Sequence, residues 1–162
     1  MTQGDYFASL PRKLVGAGAL ITDEDGRLLL VEPTYKDAWE IPGGVVEAAE
    51  SPRAGVQREL LEELGLPIPV GQLLVVDWNP PRPEAPDRPD GLMFVFDAGV
   101  LTPARAAEIT LPATELRSWR WCTPAEAEAL LPARLHRRMA AALQARSLNV
   151  TVYLENGHRP TS

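Results

Sequence analysis

Gly43-Gly44-Val45-Val46-Glu47-Ala48-Ala49-Glu50-Ser51-Pro52-Arg53-Ala54-Gly55-Val56-Gln57-Arg58-Glu59-Leu60-Leu61-Glu62-Glu63-Leu64-Gly65-Leu66 reads as a loop that runs into one helix. Ser51 is a favoured N-cap and Pro52 a favoured first helical residue. Gly65 suits the C-terminal cap, and Pro67 blocks continuation. A helix advances about 100° per residue, so Glu59, Glu62 and Glu63 project together at spacings of three and four. Ala54, Leu60, Leu61 and Leu64 fall on roughly the opposite side, which gives an apolar stripe for a core and an acidic stripe. Like charges at these spacings cost roughly 0.2–0.5 kcal/mol per pair, and a cation removes that cost. A hard ion such as Mg2+ takes oxygen ligands and bridges carboxylates to phosphates.

The spacing resembles the signature of the Nudix hydrolases. That signature is a glycine, five residues, a glutamate, seven residues, then Arg-Glu, an aliphatic residue, any residue, Glu-Glu, any residue, Gly and an aliphatic residue. Gly44, Glu50, Arg58, Glu59, Leu60, Glu62, Glu63, Gly65 and Leu66 fill it here. The approach Trp39-Glu40-Ile41-Pro42-Gly43-Gly44 is similar to the family's as well. One departure is Ala49, where many members carry glycine before the first glutamate. The resemblance implies an α/β fold of the Nudix type, an α/β/α sandwich with a mixed sheet. It also implies hydrolysis of a nucleoside diphosphate linked to another group, with Mg2+ or Mn2+ as cofactor.

Carried over residue by residue, the resemblance implies a metal site of Glu59, Glu62, Glu63 and the backbone carbonyl of Gly44. Arg58 would position a carboxylate by pairing with Glu50 or Glu62. The catalytic base stays open between Glu62 and Glu63. A third candidate is Glu115, which resembles a glutamate that commonly sits six residues before a tryptophan, here Trp121. Ser118 departs from a frequent second glutamate in that region. The chemistry needs acids of this kind: phosphate oxygens repel a nucleophile until they are neutralised, and a carboxylate can take the proton of the attacking water.

Outward from the box, Leu14 to Thr22 and Arg27 to Glu32 read as a hairpin closed by Asp23-Glu24-Asp25-Gly26. Val70 to Trp78, Gly91 to Leu101 and Leu116 to Cys122 read as further strands. Asn79 to Asp90 holds five prolines and reads as a long loop. Thr123-Pro124-Ala125-Glu126 is a capping box that opens a helix to Leu131. Pro132 breaks it, and Ala133 to Arg146 forms a second helix whose Arg134, Arg137 and Arg138 around His136 read as a solvated face, with a phosphate or partner contact as the alternative. Leu148, Val150, Val152 and Leu154 alternate and suggest an edge strand. The expected organisation is an N-terminal segment 1–11 without periodicity, one domain over 12–146 and a tail 147–162.

The chain of 162 residues suggests a single domain. Its net charge of −6 argues against general nucleic-acid or anionic-membrane binding, yet a bound cation reverses the local sign for a phosphorylated small molecule. The expected partner is thus a nucleotide or nucleotide derivative, with no nucleic acid and no membrane, and with a homodimer left open. Cys122 is the lone cysteine, and no apolar stretch reaches signal-peptide or transmembrane length, which together fit a cytoplasmic location. Trp39 and Trp78 are the candidate substrate-stacking residues, with Trp119, Trp121 and Tyr35 also available. Nucleoside triphosphates, ADP-ribose and nucleotide sugars remain open as substrates. Two other readings stand beside hydrolysis: a nucleotide sensor on the same fold, and a scaffold whose acidic helix meets a basic partner.

Overall fold

The computed structural model describes residues 1–161. In chain order the elements are α1 (Gln3–Ser9), β1 (Leu14–Thr22), β2 (Leu28–Pro33), β3 (Gly43–Val45), α2 (Pro52–Leu64), β4 (Leu73–Asn79) and β5 (Gly91–Val100). They continue with α3 (Pro103–Ala106), β6 (Leu116–Cys122), α4 (Pro124–Leu130), α5 (Ala133–Leu148) and β7 (Val152–Glu155). The strands form one mixed sheet in the order β6-β2-β1-β5-β4-β7, with β3 pairing β1. β1 runs parallel to β5 and β4 parallel to β7, while the other pairs are antiparallel.

Strand alternation sends successive side chains to opposite faces. Ala17, Ala19 and Ile21 of β1 therefore join Leu29, Val31 and Phe96 in a core closed by Val56, Leu60 and Leu64 of α2. Leu20, Leu28, Leu30 and Val95 face the other way, onto Met139, Ala142 and Ala145 of α5. Helices thus cover both faces, and the α/β/α sandwich with a mixed sheet is observed.

Three short elements escaped the sequence reading: α1, β3 and the single-turn α3. α1 buries none of its residues, so it leaves no hydrophobic period; it is closed by a capping box between Thr2 and Asp5. β3 is three residues long, too short for alternation to register. The second long helix also runs to Leu148, two residues beyond Arg146, and ends on Asn149 in the left-handed region.

The departure at Ala49 has a structural consequence. Ala49 adopts φ 62°, the left-handed conformation that costs an L-residue roughly 1–2 kcal/mol. Glycine relieves that strain but adds freedom to the unfolded chain worth roughly 0.4–1 kcal/mol. Ala49→Gly is therefore expected to stabilise the fold by about 0.5–1 kcal/mol. Urea unfolding checks it: the midpoint should rise with an unchanged slope, and a lower midpoint would contradict the strain.

Candidate active site

The box helix forms as its caps dictate. The Ser51 hydroxyl accepts from the Ala54 N–H at 3.1 Å, and Gly65 closes the other end at φ 69°. Its apolar stripe differs from the sequence expectation: Val56, Leu60 and Leu64 are buried, while Ala54 and Leu61 are exposed. Helical geometry explains the difference. With Glu59 as reference, roughly 100° per residue places Glu63 about 40° toward the Val56–Leu60–Leu64 stripe, and Glu62 about 60° away from it.

The three glutamates are consequently unequal. Glu63 lies deepest, and its Oε2 accepts the Gly43 N–H at 2.9 Å. Burial, aided by the negative charges of Glu59, Glu40 and Glu115, pushes its pKa up to about 8. Glu59 is raised for the same leading reason, desolvation, against the opposing pull of Arg58. Glu62 is the outermost, with its side chain 55% exposed, and it meets Arg58. Among the described residues no group of three or more Asp, Glu, His or Cys side chains stands at metal-ligating spacing.

Arg58 accounts for much of this arrangement. Its Nε donates to Glu50 Oε1 at 2.8 Å and its Nη2 to Glu50 Oε2 at 3.0 Å. Nη1 donates to Glu59 Oε1 at 2.9 Å and to Glu62 Oε2 at 3.2 Å, and Nη2 also reaches the Val45 carbonyl at 3.1 Å. The forked pairing holds Glu50, whose pKa falls to about 2 chiefly through these hydrogen bonds. One guanidinium thereby ties the loop before the helix to two carboxylates upon it.

Gly44 lies directly over Glu59: a Cβ there would stand 2.5 Å from Glu59 Oε1. The bare backbone at this position lets a carboxylate approach β3. The donor set suits a hard divalent cation, because it joins carboxylates and a backbone carbonyl in a place where unneutralised charge is costly enough to hold a proton on Glu63. Glu115, exposed just ahead of β6, is close enough for its charge to raise both Glu59 and Glu63. The fold therefore brings Glu115 toward the helix acids across about fifty residues of chain.

A cleft of about 360 Å³ opens beside these groups. Gly43, Gly44 and Glu40 line one part of it, and Met93, Leu135 and Arg138 another. Tyr35, 73% exposed, stands at its edge. Trp39 and Trp78 are not among the lining residues. Trp39 packs against the core beneath α5, and Trp78 donates its Nε1–H to Asp90 at 2.7 Å. Trp119 and Trp121 stack edge to face at 5.7 Å against the α2-side core.

Arg138 overturns the reading of its stretch as a solvated face. It is 7% exposed, with Nε donating to Asp77 Oδ2 at 2.7 Å and Nη2 to Asn79 Oδ1 at 2.8 Å. The signal was available: Arg138 precedes Ala142 by four residues, on the inner stripe of α5, and Asp77 shares the inward register of Val75. Among the described residues, no helix is long and apolar enough to cross a membrane.

Comparison with known proteins places this geometry in context. A family profile described as NUDIX domain matches residues 12–145. A "MutT-like protein" of Streptomyces ambofaciens is 39% identical over 82 residues, 51% of this chain; the chain spans about half of that relative's length, 53%. A "CTP pyrophosphohydrolase" of Escherichia coli (strain K12) is 32% identical over 119 residues, covering 71% of this chain and 80% of the relative. Among solved structures, the MutT protein from Methanosarcina mazei Go1 superposes with a TM-score of 0.66 at 23% identity, over 87% of this chain and 99% of that one. The last likeness concerns the fold alone.

Proposed function

The chain belongs to the Nudix family, and on that premise we propose that it hydrolyses a phosphoanhydride bond in a nucleoside diphosphate linked to another moiety, using Mg2+ or Mn2+. The observation that carries the reading is the convergence of Glu59 and Glu63 on the Gly43–Gly44 backbone at the edge of an open cleft. Glu59, Glu62 and Glu63 with the Gly44 carbonyl would hold the cation. The cation would supply charge neutralisation for the phosphate oxygens and a more acidic water.

The remaining roles belong to the chain's own side chains. Arg58 orients Glu50 and Glu59 through its forked contacts. Glu63, the deepest of the three acids and held in place by the Gly43 N–H, is the first candidate for the carboxylate that takes a proton from water. Glu62, exposed and beside it, is the second candidate for this task, and Glu115 the third. The phosphates would lie along β3 and the rest of the substrate in the cleft. A nucleoside triphosphate, ADP-ribose and a nucleotide sugar all fit this description; the relative from Escherichia coli carries the name CTP pyrophosphohydrolase.

The test is release of hydrolysis products (a nucleoside monophosphate together with pyrophosphate or a sugar phosphate) over a panel of nucleoside triphosphates, ADP-ribose and nucleotide sugars, with and without chelator. Release from at least one substrate should require Mg2+ or Mn2+ and vanish with EDTA. Tight nucleotide binding with no release from any substrate would point to a sensor and refute the proposal.

A further inference from the structure

The cleft has a second polar end that the hydrolytic chemistry does not use. Val45 of β3, Gly16 of β1, Met93 of β5 and Asp77 of β4 form one cross-strand row. Three strand spacings separate its ends, about 14 Å. A ligand with its phosphates at β3 would therefore carry its far part toward β4, where Asp77 and Asn79 hold Arg138.

The ground between is apolar. A Cβ at Gly16 would come within 2.7 Å of the Met93 sulfur, and one at Gly18 within 2.6 Å of Ile41 Cδ1. Met93 and Ile41 thus lie directly on bare β1 backbone, and Leu135 of α5 adds to the same cleft. Such a surface suits a flat ring rather than a hydrated sugar or another phosphate.

Arg138 is fixed in place with a donor to spare. Asp77 and Asn79 take its Nε and Nη2, while Nη1 has no acceptor among the described residues. Asp77 is itself fully buried and also accepts the Gly157 N–H at 3.0 Å, so the guanidinium cannot swing away without stranding a carboxylate. Arg88, from the proline-rich loop, lines the same cleft and makes no salt bridge among the described residues. This end of the cleft offers N–H donors from two arginines.

We propose that Arg138, aided by Arg88, is a specificity-determining residue that selects nucleobases presenting carbonyl acceptors, so that guanine, cytosine or uracil nucleotides are preferred to adenine nucleotides. The inference rests on the functional reading above. Guanine presents O6 and N7 to arginine as paired acceptors, and both pyrimidines present the O2 carbonyl, whereas adenine has no carbonyl oxygen and sets an N6 amino donor beside its N7, so that a two-pronged arginine meets one acceptor and one donor. Two donors facing each other leave both unpaired once the base has displaced water from between them, which is costly.

The experiment is calorimetric titration of the metal-free protein with GMP, CMP, UMP and AMP. It reads base recognition without requiring turnover, so it succeeds or fails independently of the hydrolysis assay. At least one carbonyl-bearing monophosphate should bind roughly 10-fold or more tightly than AMP. Arg138→Lys keeps a charge for Asp77 but loses the fixed fork, and it should bring that ratio toward one. Arg88→Ala, on the exposed loop, should lower the ratio in the same direction and carries the test alone if Arg138→Lys fails to fold. AMP binding as tightly as the other three would overturn the inference. So would a ratio unchanged in every folded variant, or no binding of any of the four at millimolar concentration.

Discussion

Glu63→Gln is expected to lower phosphoanhydride hydrolysis by about 10²–10⁴-fold, the range over which a positioned acid or base contributes. Glutamine keeps an oxygen to accept the Gly43 N–H, so the fold should persist. The same variant has a second signature that needs no substrate. Glu63 titrates near pH 8 in the folded, metal-free protein against an ordinary value of 4.5. An acid whose pKa is raised by folding binds more protons folded than unfolded between those two values, so stability falls as pH rises through that window. At about 1.36 kcal/mol per pH unit the loss is at most about 5 kcal/mol, and residual solvent contact reduces it to roughly 3. The chelator-treated wild type should therefore melt lower at pH 9 than at pH 5 by more than Glu63→Gln does. Added Mg2+ or Mn2+ should restore the alkaline loss in the wild type. Glu62→Gln should also lose turnover. Full activity in both variants would contradict the site assignment.

Arg58→Ala should reduce kcat/KM and metal affinity by about 10–100-fold, the usual effect of removing a group that orients metal-binding carboxylates. Its guanidinium makes five hydrogen bonds, to Glu50, Glu59, Glu62 and the Val45 carbonyl. Arg58→Lys should rescue little, because an ammonium cannot reproduce the two-pronged pairing with Glu50. Acid unfolding supplies the independent readout. Glu50 has its pKa depressed from 4.5 to about 2, so its contribution is present above 4.5 and lost as pH falls toward 2. In Arg58→Ala this part of the acid limb should flatten. A variant with wild-type kcat/KM and an unchanged acid limb would remove Arg58 from the site.

The sequence was informative where a local rule governs the outcome. Ser51, Pro52 and Gly65 determine the limits of α2 through orphan N–H groups and a left-handed cap, matters of a few neighbouring residues. Apolar runs bounded by turn residues announced the strands β1 and β2, which are buried on both faces because side chains on opposite faces meet opposite cores. The acidic face of α2 was visible from the spacing of its glutamates. Its apolar stripe was drawn through Ala54 and Leu61 and missed Val56, because adjacent apolar residues such as Leu60 and Leu61 are alike in sequence; only the strands packed against the helix choose between them.

What the chain order dictated, then, is a capped helix carrying three acids, set among strands of known period. Tertiary structure ranked those acids, since depth depends on which side of the helix β1 and β3 cover, and desolvation varies with that depth. It also brought Glu115 near enough for its charge to act on the helix acids, left Trp39 and Trp78 outside the lining of the cleft, and buried Arg138 between α5 and β4. Those outcomes depend on contacts between residues far apart along the chain, and such contacts have no period to read.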